Sequence, residues 1–140
     1  MDIKQCINYL LSVSQNKVFK YFSGLLEEHN LTPAQYGVLN CLWSEGELSP
    51  KQIGGMMHLE ASTVSGILDK MQKAGFIERS IDPENRRNIL VIPTPKAIAI
   101  QKDVEETTER LNKTVLQDLS DNDQIALKKL LGTIIQSDFN

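Results

Sequence analysis

Apolar residues recur at three- and four-residue intervals along most of the chain, the period of one helical face. Ile3, Ile7, Leu10, Leu11, Val18, Phe22 and Leu25 follow it and predict a first helix from about Ile3 to Glu28. Thr32-Pro33-Ala34-Gln35 and Ser49-Pro50-Lys51-Gln52 each combine a capping hydroxyl, a proline at the first helical position and a glutamine able to reach back to the cap. Each is the signature of a helix start. The first of these helices carries Tyr36, Val38, Leu39, Leu42 and Trp43 and should stop near Gly46; the second is short, with Ile53, Met56 and Met57. Its Gly54-Gly55 pair lowers intrinsic helicity and suggests close helix packing. After a turn at His58-Leu59-Glu60, Val64, Ile67, Leu68 and Met71 share one face of a further helix, about 61–74, with Gly75 placed to close it. Ser62, Thr63, Ser65, Gly66 and Lys70 fall largely off that face, leaving a small, polar surface able to approach another molecule closely.

The period then changes. Phe76-Ile77-Glu78-Arg79 and the β-branched run Ile89 to Ile92 flank Asp82-Pro83, which opens a turn because proline fixes φ for its second position. Asn85 in that turn tolerates the left-handed region. The reading is a hairpin over about 76–94 with Arg86 and Arg87 near its tip. Helical spacing resumes with Ile100, Val104, Thr107, Leu111, Val115 and Leu119 at nearly heptad intervals, and Ser120 with Asp123 opens a last helix carrying Ile125, Leu130, Leu131 and Ile134.

Composition narrows the class. At 140 residues, 41% hydrophobic and 24% charged, the chain suits one domain with a real core. No apolar run approaches a membrane span, and the N-terminus has an acidic residue and no small-residue cleavage site, so a cytoplasmic location is expected. Two cysteines, Cys6 and Cys41, and two histidines give neither a disulfide framework nor a metal-ligand spacing; no cofactor is expected. There is no Gly-rich phosphate loop, paired carboxylate or nucleophile with a recognisable base, and this excludes an enzyme reading. The net charge is −3, but residues 49–95 are the one segment that is not acidic. Paired arginines in an exposed turn are ordinarily solvated surface; after a helix-turn-helix pattern they point to DNA.

Helix, turn, polar-faced helix and basic-tipped ribbon is the order of a winged helix-turn-helix. LTPAQYGVLNCLW, LEASTVSGILDKMQKAGFIERS and DPENRRNILVIPT together resemble the second helix, the recognition helix with first wing strand, and the wing of the MarR-type (multiple antibiotic resistance) transcriptional regulators. The likeness covers nearly the whole chain. It implies a mainly α (α+β) fold: a winged helix-turn-helix at 31–95, with dimerisation helices at 1–30 and 96–140. It implies a homodimeric repressor of double-stranded DNA, with the recognition helix in the major groove and Arg87, beside Arg86, in the minor groove. Two departures stand out. Asn85 occupies a place where family wings commonly have aspartate, and Gly66 one where many members carry arginine. Base reading then falls to Ser62, Thr63, Ser65 and Lys70, with Lys51 and Gln52 at a helix start available to phosphate. Ser62-Thr63 could equally be only a cap.

The same resemblance implies a small aromatic or phenolic effector between dimer helices and winged domain. Tyr36, Trp43 and His58 are candidates for its lining, although core packing is the better account of the first two. Some relatives sense peroxides through a thiolate in the first helix, which makes Cys6 a redox candidate; Cys41 reads as core. The competing class is a winged-helix protein-interaction module that has lost DNA binding.

Overall fold

The computed structural model describes residues 1–140. Seven α-helices and two strands follow in the order α1 (Ile7–Leu26), α2 (Pro33–Glu45), α3 (Pro50–Met57), α4 (Ala61–Lys73), β1 (Ile77–Ile81), β2 (Ile89–Pro93), α5 (Pro95–Ala99), α6 (Gln101–Val115) and α7 (Asp121–Gln136). Both capping boxes form. Thr32 and Ser49 accept from the backbone N–H of Gln35 and Gln52, whose side-chain carbonyls accept in return from the cap N–H. Gly46 and Gly75 end α2 and α4 at φ 89° and 83°, where a side chain would be strained.

The core lies between α2, α3, α4 and the ribbon, with the C-terminal end of α1 and one face of α6 closing it. Val38, Leu39 and Leu42 of α2, Ile53 of α3, Leu68 and Met71 of α4 and Val91 of β2 are fully buried. Gly54 allows α3 and α4 to meet: a Cβ there would stand 3.1 Å from the Leu59 carbonyl and 3.4 Å from Val64. Gly55 faces open space, so only half of the glycine pair serves close packing. The antiparallel strands pair from Ile77 with Pro93 to Ile81 with Ile89, and Leu48 adds a single bridge to Val91 that gives the sheet a third, one-residue edge.

Three boundaries differ from expectation. The first helix does not run from Ile3 to Glu28: Cys6 is extended (φ −76°, ψ 120°) and separates a short 3₁₀ turn, Ile3–Gln5, from α1. Asp2 supplies the reason, since its carboxylate accepts from the Lys4 N–H at 3.0 Å and closes that turn locally. The far end tightens into a second 3₁₀ turn, Glu27–His29, ended by Asn30 in the left-handed region. The long helix predicted from Ile100 to Leu119 is preceded by a separate short helix that the spacing did not announce, α5, which Thr94 caps with Pro95 at its first position, and it ends earlier than Leu119. Val115 is its last helical residue, and Ser120 caps α7, its hydroxyl accepting from the Asp123 N–H as expected.

The termini are less covered than the middle. No residue of α7 is buried, and Ile3, Ile7, Leu10, Leu11, Val13, Ile125, Leu130, Ile134 and Ile135 stay exposed. A compact monomer of this size exposes roughly 7,300 Å². This chain exposes 10102 Å². No helix is long and apolar enough to cross a membrane.

Candidate nucleic-acid interface

The interface starts from a tight turn between two helices. His58 closes α3 in the left-handed conformation (φ 55°, ψ 47°), and the Leu59 N–H donates back to the Gly54 carbonyl at 3.0 Å. Glu60 follows as the N-cap of α4 but makes no side-chain cap hydrogen bond. This departs from α2, α3, α5 and α7, each of which has a capping hydroxyl. Ser62 and Thr63 therefore do not serve as caps; they are inside the first turn, facing solvent. The first N–H groups of α4, with the positive end of its dipole, are left without a side-chain acceptor, an arrangement that suits an anion.

Val64, Leu68 and Met71 anchor α4 to the core, which fixes its outward face. Ser62, Thr63, Ser65, Gly66 and Lys70 all lie on that exposed side, as the periodicity requires. Nothing stands within 4 Å of a Cβ at Gly66, so its surface is open and flat. Lys51 is exposed on α3. Gln52 is exposed too, but its side-chain carbonyl is held by the cap at 2.9 Å from the Ser49 nitrogen, so only its amide NH₂ is free for phosphate.

The ribbon follows α4 directly, and the two elements pack together. Its tip is built from two side-chain turns: Asp82 accepts from the Glu84 N–H at 2.9 Å, and Asn85 accepts from the Arg87 N–H at 3.2 Å. Asn85 does not adopt a left-handed conformation, contrary to expectation. Its carbonyl oxygen shapes the loop instead, by hydrogen bonding its own backbone two residues on. Asparagine thus keeps the backbone role an aspartate would have at this place. Arg86 and Arg87 are exposed, and none of the chain's ion pairs uses either guanidinium.

Sequence reasoning missed the polar joints at the ribbon's root. Arg79 reaches back to α4, donating to Gln72 and Asp69 at 2.7 Å each. The Lys96 ammonium donates to the Ala74 carbonyl at 2.7 Å and lies 4.5 Å from the centre of the Phe76 ring. Thr94 donates to the Gly75 carbonyl. Each joins residues distant in sequence, so no local spacing announces them.

The proposed lining residues have other partners. Tyr36 packs edge-on against Phe22, with ring centres 5.3 Å apart, and its hydroxyl accepts from Asn40. The Trp43 indole donates to the Ala97 carbonyl at 3.2 Å. His58 is an exposed helix terminator. Two shallow surface clefts, lined by Lys129, Gly132, Thr133, Gln136 and Ser137 and by Asp69, Gln72, Lys73 and Arg79, include none of the three. Cys6 is half-buried at the N-cap of α1. Burial pushes the Cys41 thiol above its ordinary pKa, with the Glu45 carboxylate adding to the shift and a backbone hydrogen bond opposing it, which suits an inert core thiol.

Known proteins place this geometry. Residues 31–89 match the model of the MarR family. The organic hydroperoxide resistance transcriptional regulator of Bacillus subtilis is 27% identical over 140 residues, covering 98% of this chain and 92% of its own. Among solved structures, Bordetella bronchiseptica BpsR, described for regulation of its DNA binding by 6-hydroxynicotinic acid, superposes with a TM-score of 0.92 at 22% identity, covering 99% of each chain. A mutant MarR from E. coli complexed with operator DNA superposes with a TM-score of 0.87 at 19% identity, covering 95% of this chain and 96% of its own. The relatives are regulators, not enzymes, in keeping with a surface built for recognition. Over residues 31–89 the chain matches the MarR family model, and over nearly its whole length it is similar to transcriptional regulators with the same winged helix.

Proposed function

We propose that this chain is a cytoplasmic homodimeric repressor whose two α4 helices enter successive major grooves of a pseudo-palindromic operator, roughly 34 Å apart. Each wing carries Arg87, with Arg86 beside it, into the flanking minor groove. The observation that carries the reading is the pairing of an uncapped, open polar face on α4 with a ribbon tip whose two arginines have no partner in the chain. A narrow A·T-rich minor groove concentrates negative potential, so a guanidinium placed there favours binding even when the protein's average charge is negative. Ser62, Thr63, Ser65 and Lys70 face the bases and phosphates. Gly66 lets the helix approach without touching a base itself.

Dimerisation is supported by the uncovered apolar faces of the N-terminal segment and α7. The chain exposes roughly 2,800 Å² more than a compact monomer, a surplus of the size that obligate interfaces bury. A small aromatic or phenolic effector bound between the dimer helices and the winged domain would release the operator. To do so it must bind one separation of the two α4 helices better than another.

Fluorescence anisotropy on duplexes enriched from genomic fragments tests the reading. Arg87→Ala should leave the dimer intact, weaken operator binding by roughly 1–3 kcal/mol per affected site and relax the preference for A·T flanks. Lys70→Ala should weaken binding more uniformly and lower the salt slope by about one for each phosphate it no longer neutralises. Wild-type affinity retained by Arg87→Ala across a salt titration would sink the DNA-reading role of the wing. A wild-type chain that enriches no duplex would favour a protein-interaction module. A thermal-shift screen with aromatic carboxylates, followed by DNA release measurements, tests the effector. If no compound binds, control through Cys6 oxidation becomes the alternative to examine.

A further inference from the structure

The ribbon that carries Arg87 is held along only part of its length. At its root the Phe76 N–H donates to the Met71 carbonyl at 2.9 Å, the Thr94 N–H donates to the Phe76 carbonyl at 3.0 Å, and Lys96 braces Ala74. Ile77 is buried beside them. Arg79 and then Ile81 follow on the same face of the strand, since side chains alternate. Ile81 is already 65% exposed, and Ile89 opposite it is 47% exposed. The outer half of the ribbon thus overhangs the core.

Between the root and the overhang each strand has its own polar fastening: Leu48 exchanges backbone hydrogen bonds with Val91 of β2, and on β1 the residue paired with Val91, Arg79, reaches α4. Arg79 Nε donates to Gln72 Oε1 and Nη2 to Asp69 Oδ1, both at 2.7 Å. Asp69 and Gln72 are three residues apart on α4, the spacing at which helical side chains stand together. A planar guanidinium spans both acceptors; a lysine ammonium presents a point charge without that fork. The pairing also answers a puzzle. An unpaired carboxylate on a helix that approaches DNA would repel phosphate, and Arg79 neutralises it.

The geometry points to Arg79 as a positioning residue for DNA reading: by tying β1 to α4 it sets the angle between wing and recognition helix, and so where Arg87 meets the flanking groove. This rests on the function proposed above. A five-residue strand is roughly 17 Å long, so a swing of about 10° at the root moves the tip by roughly 3 Å. Recognition groups generally need placement within about 0.5 Å. The pair is partly solvated, with 28% of the Arg79 side chain and 55% of Asp69 exposed, so it adds little to folding stability. Its effect falls on geometry instead.

The test uses the full chain and two duplexes carrying the same half-sites, enriched by wild-type protein, with flanks of either A·T or G·C. Arg79→Ala should melt within about 3 °C of wild type. It should lose about tenfold of the A·T preference while keeping the wild-type salt slope, because a guanidinium already paired with Asp69 displaces no counterion from DNA. Arg87→Ala should lower both preference and slope, and adding Arg79→Ala to it should cost no further preference. Asp69→Ala is the more telling variant. Bulk electrostatics predicts tighter binding once this negative charge is gone, whereas a positioning role predicts the same loss of flank preference as Arg79→Ala. Arg79→Lys should recover only part of the preference. An Arg79→Ala protein with full flank preference would overturn the inference, as would one with a reduced salt slope, which would mean that Arg79 touches phosphate directly. If Arg87→Ala loses the preference and Arg79→Ala does not, only the positioning role falls. If wild type enriches no duplex, the proposed function falls and takes this inference with it.

Discussion

Leu42 in α2 and Leu130 in α7 are the same residue type in helices of 13 and 16 residues, yet Leu42 is fully buried and Leu130 is 61% exposed. The contrast extends to the regions around them. About two thirds of the buried residues lie within 31–95, where short helices and a ribbon cover one another. The terminal helices show heptad-like stripes that nothing in the chain covers fully. A middle with most of its apolar residues buried, closed by the end of α1 and one face of α6, holds its polar surface in a fixed place. The termini leave apolar faces uncovered, and under the proposed function a second copy covers them, so the two regions would divide recognition from assembly.

The largest test of this division replaces Leu130 and Ile135 together with glutamate. If α7 is a dimer element, four apolar side chains per dimer are removed from the interface, a penalty of roughly 6 kcal/mol or more at about 1.5–3 kcal/mol each. Sedimentation equilibrium should then show monomer at micromolar concentration with the helical content of the middle kept. A variant that remains dimeric would move the interface elsewhere.

Leu42→Ala probes the other side of the comparison. Removing a fully buried leucine should destabilise the chain by roughly 2–5 kcal/mol in chemical denaturation, the usual cost of such a cavity. Loss of less than about 1 kcal/mol would mean that the middle is no tighter than the termini. The smallest effect has the opposite sign. Gly66 is in mid-helix with open space around it, so Gly66→Ala should raise stability by about 0.5–1 kcal/mol, because alanine loses less backbone entropy on folding. A loss of stability there would show that the outward face of α4 is not free.

How much of this was legible depended on range. Thr32 with Gln35, Ser49 with Gln52 and Ser120 with Asp123 are cap pairs three residues apart, so their spacing announces them before any fold is known. The same holds for Gly75, placed just past the apolar stripe of α4. The order of helices and ribbon followed from these signals and from periodicity. The break at Cys6 did not, because Ile3 continues the spacing of Ile7 and Leu10 while the deciding interaction is the Asp2 carboxylate. At the candidate site, exposure of Ser62, Thr63, Ser65 and Lys70 followed from their places opposite Val64, Leu68 and Met71. Arg79 did not stand out, since its partners Asp69 and Gln72 face it only once β1 folds against α4. Asn85 was given a backbone reason when the reason lay in its side chain. The uncapped start of α4 was hidden for a related reason: serine and threonine near a helix start imply capping unless one knows that Glu60 precedes the first turn.

The hydrogen bond from Trp43 to the Ala97 carbonyl has a practical side. This is the chain's only tryptophan, and it joins α2 of the winged domain to α5, where the chain leaves the ribbon for the terminal helices. Indole emission changes colour and intensity with the polarity around its N–H. Unlabelled protein therefore carries a built-in optical gauge at the joint between the winged domain and the terminal helices, and its spectrum should register any movement of one against the other without an added dye.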